Sequence, residues 1–166
     1  MSGNKVEKTN VMRTLEQKKI AYTAHYYDHS DGQIDAVSVA KKLGQKPEQV
    51  FKTLVTQGSG KGYFVFVLPA ETELDLKAAA RAVGEKSIAM IPVAQINKVT
   101  GYIRGGCSPI GMKKQYPTVL DSSALRETTI MVSAGKIGSQ VEVNPQDLLN
   151  LIGGKTADIA IKMAME

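Results

Sequence analysis

The chain has 166 residues, of which 43% are hydrophobic and 22% charged, with a net charge of +5 and one cysteine. That length is enough for one domain with a real core, and the composition is that of an ordinary globular protein. One cysteine excludes an internal disulfide, and no run approaches the roughly 20 apolar residues of a membrane span. The N-terminus, "MSGNKVEKTN", has no signal-peptide core, so a cytoplasmic location is expected.

In chain order, residues 6–19 predict a helix with Val11, Met12 and Leu15 on one face. "AYTAHYYD" alternates and carries tyrosines, so it reads as a strand. "DAVSVAKKLG" reads as a helix capped by Asp35, with Val39, Ala40 and Leu43 along one face and Gly44 at its end. Pro47 suits a first helical turn before Val50. "FKTLVTQ" and "YFVFVLP" are strands joined by the flexible turn "GSGKG". "LDLKAAARAVG" is a helix stopped by Gly84, "SIAMI" a short strand, and Pro92 opens the short helix "PVAQIN". Strands "TVLD", "TIMVS" and "QVEVN" follow, then a last helix, "PQDLLNLIG", between Asn144 and Gly153. The expected core covers about 6–154, with 155–166 as a terminal extension. Short strands interleaved with helices predict an α/β or α+β fold built on a mixed sheet.

One stretch does not read as scaffold. "GYIRGGCSPIGMKK", residues 101–114, combines glycines, a lone thiol and lysines. It lies in a window from Lys86 to Leu120 that has no acidic residue and five cations: Lys86, Lys98, Arg104, Lys113 and Lys114. A patch of one sign attracts anionic partners, nucleic acid above all, although sparse lysines also decorate ordinary surfaces.

No P-loop, GxSxG or GxGxxG motif occurs, and there is no paired-cysteine metal motif. His25, Asp28 and His29 in "HYYDH" are the residues to weigh for a metal, but polar groups at a strand end are far more often surface groups, and no metal is expected. Cys107 is either a small apolar filler or, with His25 or His29, a nucleophile–base pair. Lys52, in the apolar strand "VFKTLV", either snorkels to solvent or aims a charge into a pocket, where it would suit a phosphate or an ester oxygen.

"FKTLV" at 51–55, "GYIRGGCSPIG" at 101–111 and "VSAGKIG" at 132–138 together resemble the YbaK-type Cys-tRNA(Pro) deacylases, of the prolyl-tRNA synthetase editing-domain superfamily. The resemblance spans nearly the whole chain, which implies a single editing domain over residues 1–166. It implies a mixed, β-barrel-like sheet surrounded by helices. It implies trans-editing deacylation of cysteine mischarged onto tRNA(Pro), with Cys-tRNA(Cys) as a further substrate to weigh, and no cofactor. The partners implied are the aminoacyl-tRNA acceptor end and prolyl-tRNA synthetase, with no DNA and no membrane.

Carried over by position, the functional residues are Lys52, Tyr27, Gly105 and Ser133, with Ser108 as a further substrate-binding position. Backbone N–H groups near Gly105 and Gly106 would stabilise a developing oxyanion, and Arg104, Lys113 and Lys114 would hold tRNA phosphates. Ala134 stands where the family has a second glycine, and Ile137 where it has an arginine. The resemblance implies that the nucleophile is the thiol of the bound cysteine itself, which fits a chain in which no motif marks an activated nucleophile. Three other readings stay open: a deacylase for alanine on tRNA(Pro), a Cys107-dependent thiol esterase, and a tRNA-binding module without catalysis.

Overall fold

The structure, a computed structural model, describes residues 8–163. Five helices and ten strands lie in the described chain, and the mixed α/β architecture expected from the sequence is the one observed. Residues 6 and 7 of the expected first helix lie outside the described residues. The helix itself, α1, runs Asn10–Gln17, where Thr9 Oγ1 accepts from the Met12 N–H at 3.2 Å. Val11, Met12 and Leu15 are at most 1% exposed, so the apolar stripe faces the core as the spacing requires.

The main sheet has five strands in the order β5-β2-β3-β6-β9: β2 (Phe51–Gly58), β3 (Tyr63–Pro69), β5 (Ile88–Met90), β6 (Thr118–Asp121) and β9 (Lys155–Ala157). β2 pairs antiparallel with β3 and β5, whereas β3–β6 and β6–β9 are parallel. β3 is central and both its faces are covered. Val65 and Val67 enter one core cluster; Phe66 and Leu68 enter another, against Ala79 and Ala80 of helix α3 (Leu76–Val83). Double burial explains why "YFVFV" is a continuous apolar run and not an alternating one.

A three-stranded antiparallel sheet, β1 (Tyr22–Tyr26), β8 (Ser139–Val143) and β7 (Ile130–Ser133), packs across the first cluster through Val132, Val141 and Val143. A single parallel bridge, Val50 to Met131, touches the two larger sheets together. One bridge is not a ladder, so among the described residues the strands form separate sheets and no barrel closes. Helix α2 (Ala36–Leu43) starts on the Asp35 cap and stops at Gly44, which is left-handed at φ 64°. Helix α4 (Ile96–Thr100) leads into the glycine-rich stretch, and α5 (Pro145–Ile152) buries Leu148, Leu149 and Ile152.

The end of the chain departs from expectation. Residues 155–162, read as part of a terminal extension, carry β9 on the main sheet and β10 (Ala160–Lys162), which pairs antiparallel with β4 (Thr72–Leu74). The cause is a buried carboxylate: Asp121 Oδ1 accepts the N–H groups of Ile159 and Ala160 at 3.0 and 3.1 Å. Ile159 is fully buried beside Phe66 and Val119. Strand β4 was not expected, because "TEL" is too short and too polar to signal a strand.

Candidate active site

A cleft of about 220 Å³ opens between the start of β2, the segment before α2, the end of β7 and the glycine-rich stretch. It gathers Tyr27, Lys52, Arg104, Gly105 and Ser133, five of the residues singled out in the sequence. Its apolar wall includes Ile34, Val39, Phe51 and Val132.

Lys52 is half-buried. Its ammonium donates to the carbonyl oxygens of Ala70, at 3.3 Å, and Thr72, at 2.5 Å. An ammonium has three donors, so one remains for a ligand. Burial pushes its pKa down from the ordinary lysine value, while Glu73 and Asp35 favour the charged form. Of the two sequence readings, the partly buried cation at a pocket is the one observed.

Ser133 ends β7, and its hydroxyl oxygen accepts the Gly135 N–H at 3.1 Å, which leaves the O–H free to donate. The turn that follows is closed by the Ala134 N–H on the Ser139 carbonyl at 3.1 Å. Ala134 is fully buried and outside the positive-φ residues, so this turn has no need of glycine there. Tyr27 follows β1, and its N–H donates to the Gly138 carbonyl at 3.0 Å, which ties the tyrosine to the same turn.

The glycine-rich stretch has little regular structure but is firmly tied. Tyr102 donates through its hydroxyl to the Ile110 carbonyl, and Tyr116 to that of Val99 at 2.8 Å. Gly105 has φ +87°, and a Cβ on it would fall 2.4 Å from Ile34 Cδ1. Its N–H forms no hydrogen bond among the described residues.

The two glycines expected to act together divide. Gly106 is buried outside the cleft wall, and its N–H is taken by the Ile103 carbonyl at 2.9 Å. It lets two backbones touch instead: a Cβ there would sit 3.1 Å from Ile137 N. Ser108 is fully buried and accepts the Ile110 N–H at 3.2 Å, so it shapes the loop and does not face the cleft. Lys113 and Lys114 are exposed outside the cleft; Lys113 reaches the Lys98 carbonyl at 3.4 Å.

The groups weighed for a metal are not gathered. His25 Nε2 lies 2.8 Å from Glu142 Oε1, Asp28 accepts from the N–H and hydroxyl of Ser30, and His29 rests against Gly138. Neither histidine lines the cleft, whereas Cys107 does. Burial pushes the Cys107 thiol up to about 11, against a hydrogen bond to Thr100 that lowers it, so at neutral pH the thiol is protonated.

Sequence reasoning missed Gln140 and Thr53 on the cleft wall. Gln140 is 4% exposed and accepts from Gln45 Nε2 at 2.9 Å; a polar residue near the start of a strand carries no sign of burial. The Thr53 hydroxyl is buried without a partner.

Residues 32–151 match the family model of the aminoacyl-tRNA editing domain, and the chain belongs to that family. The chain is 47% identical over 156 residues, 94% of its length, to EbsC of Enterococcus faecalis, and the match covers 95% of EbsC. EbsC is provisionally named a Cys-tRNA(Pro)/Cys-tRNA(Cys) deacylase. Among solved structures, one described as a trans-editing enzyme for prolyl-tRNA synthetase matches with TM-score 0.79 and 24% identity, over 93% of this chain and 99% of that one. A scaffold protein used for epitope grafting matches with TM-score 0.80 and 26% identity, over 92% and 96%. No helix among the described residues is long and apolar enough to cross a membrane.

Proposed function

We propose that the chain is a single editing domain that deacylates tRNA(Pro) mischarged with cysteine, acting in trans on the acceptor end alongside prolyl-tRNA synthetase in the cytoplasm. The observation that carries this reading is a cleft holding a half-buried lysine but no activated nucleophile, in a chain 47% identical to EbsC. Such a cleft suits a substrate that brings its own nucleophile. A pocket for proline cannot strongly reject a side chain as close in size as cysteine, which is why a second site is needed.

In this mechanism the bound cysteine's sulfur attacks its own ester carbonyl. The S–C bond forms, the C–O bond to the ribose breaks, and the thiol proton ends on the ribose oxygen. The cyclic thioester released is then opened by water. The protein supplies orientation and charge stabilisation. The third donor of Lys52 and the free N–H of Gly105 face the developing oxyanion. Tyr27 and the Ser133 hydroxyl orient the aminoacyl end, and Arg104 holds the terminal phosphate. Lys113 and Lys114, outside the cleft, take phosphates further along the acceptor stem, a contact that positions without reading sequence.

The test is deacylation of tRNA(Pro) charged with cysteine, alanine, serine or proline. The reading requires rapid loss of cysteine and retention of proline. Equal rates on all four esters, or none on the cysteine ester, would overturn it.

A further inference from the structure

Asp35 is the one carboxylate among the residues lining the cleft. It caps α2: Oδ2 accepts the Ser38 N–H at 3.1 Å and Oδ1 accepts the Ser38 hydroxyl at 2.7 Å. A carboxylate has about four lone-pair positions, so each oxygen keeps acceptor capacity at a residue that lines the cleft. No lysine or arginine nitrogen comes within ion-pair distance of Asp35 among the described residues, although Lys52 and Lys41 act on it through space. The Ser38 hydrogen bonds, the side-chain one first, hold its carboxyl below the usual range and favour the ionised form, against the effect of burial.

The cleft therefore carries two cations, Lys52 and Arg104, and one carboxylate that neither neutralises by direct contact. An aminoacyl ester on tRNA has the complementary pattern: phosphate anions on the nucleotide side and a single cation, the α-ammonium, on the amino-acid side. We infer that Asp35 receives the α-ammonium of the aminoacyl group, so that the site accepts free aminoacyl esters and spares those whose nitrogen is acylated, as in peptidyl-tRNA. The inference rests on the deacylase reading above and names the group that orients the amino-acid end. An acylated nitrogen has lost its positive charge, and it would leave the carboxylate facing a bulky neutral amide.

The experiment compares cysteinyl-tRNA(Pro) with N-acetylcysteinyl-tRNA(Pro) near pH 6, where an α-amino group is largely protonated. Acetylation leaves the thiol and the ester intact, so the chemical step stays available to both. Wild-type protein should prefer the free amine by about tenfold or more in kcat/KM, the range of one charge-assisted contact. Asp35→Asn keeps a good helix cap and removes the charge; its preference should fall to within about twofold, mostly through KM. Asp35→Ser, a second uncharged cap, should behave alike, whereas a purely structural role would not separate the two esters. If both variants keep the wild-type preference, the inference is overturned while the deacylase reading stands. If wild-type protein cleaves neither ester, both fall together.

Discussion

Ile34 rests against the bare Cα of Gly105, so close that a methyl group on Gly105 would fall 2.4 Å from Ile34 Cδ1. The contact joins the segment before α2 to the glycine-rich stretch and forms part of the cleft wall. Gly105→Ala should lose about 1–2 kcal/mol of stability from the left-handed backbone alone. It should lose deacylation as well, because Ile34 must move. Adding Ile34→Ala should restore part of the activity but not the stability, as read by urea unfolding and a single-turnover assay. Recovery of both would mean that sterics, and not backbone, set the requirement for glycine.

Lys52→Ala should lower the rate about a hundredfold, the cost of one oriented charge in a partly dry site, while the protein stays folded. The folded protein holds the Lys52 pKa below the ordinary 10.5, so the unfolded chain keeps this proton at pH values where the folded one has released it. Stability contributed by this site therefore rises with pH up to about 10.5, and Lys52→Met should remove that rise. Unfolding curves of the two proteins across alkaline pH check the sign.

Cys107 should be a sluggish thiol. With its pKa raised from 9.0 to about 11, alkylation at pH 8 should run about a hundredfold slower than for a free cysteine. The same shift makes stability fall as pH climbs from about 9 through 11, and Cys107→Ala should flatten that loss. Rapid labelling of the folded protein at neutral pH would contradict this.

Affinity for tRNA should drop steeply with salt. All five cations of the acid-free window are exposed, and Lys98 and Lys113 lie side by side. Lys113→Ala with Lys114→Ala should flatten the log–log slope by up to about 2, as expected for two phosphate contacts. An unchanged slope would remove both lysines from the interface.

The helices and most strands were legible because caps and periodicity coincide. Asp35 and Asn144 cap as expected, and Gly44, Gly84 and Gly153 end their helices in the left-handed region. The tail was not legible, since its order comes from the distant carboxylate of Asp121 and not from its own pattern. In the cleft, Lys52 stood out as a cation in an apolar strand. The division between Gly105 and Gly106 did not, because adjacent glycines look alike until the partner of each is known: a side chain for one, a backbone for the other. Gln140 was hidden for a related reason; its hydrogen-bond partner, Gln45, is ninety-five positions away.

The most direct test of the account compares cysteinyl- and seryl-tRNA(Pro) with wild-type protein and Cys107→Ala. If the substrate's thiol is the nucleophile, both proteins cleave the cysteine ester at similar rates. Both leave the serine ester nearly untouched, since a hydroxyl is far less ionised than a thiol at neutral pH. A folded Cys107→Ala protein that binds tRNA but cleaves nothing, with wild-type protein cleaving serine and cysteine esters alike, would contradict the account and make Cys107 the nucleophile.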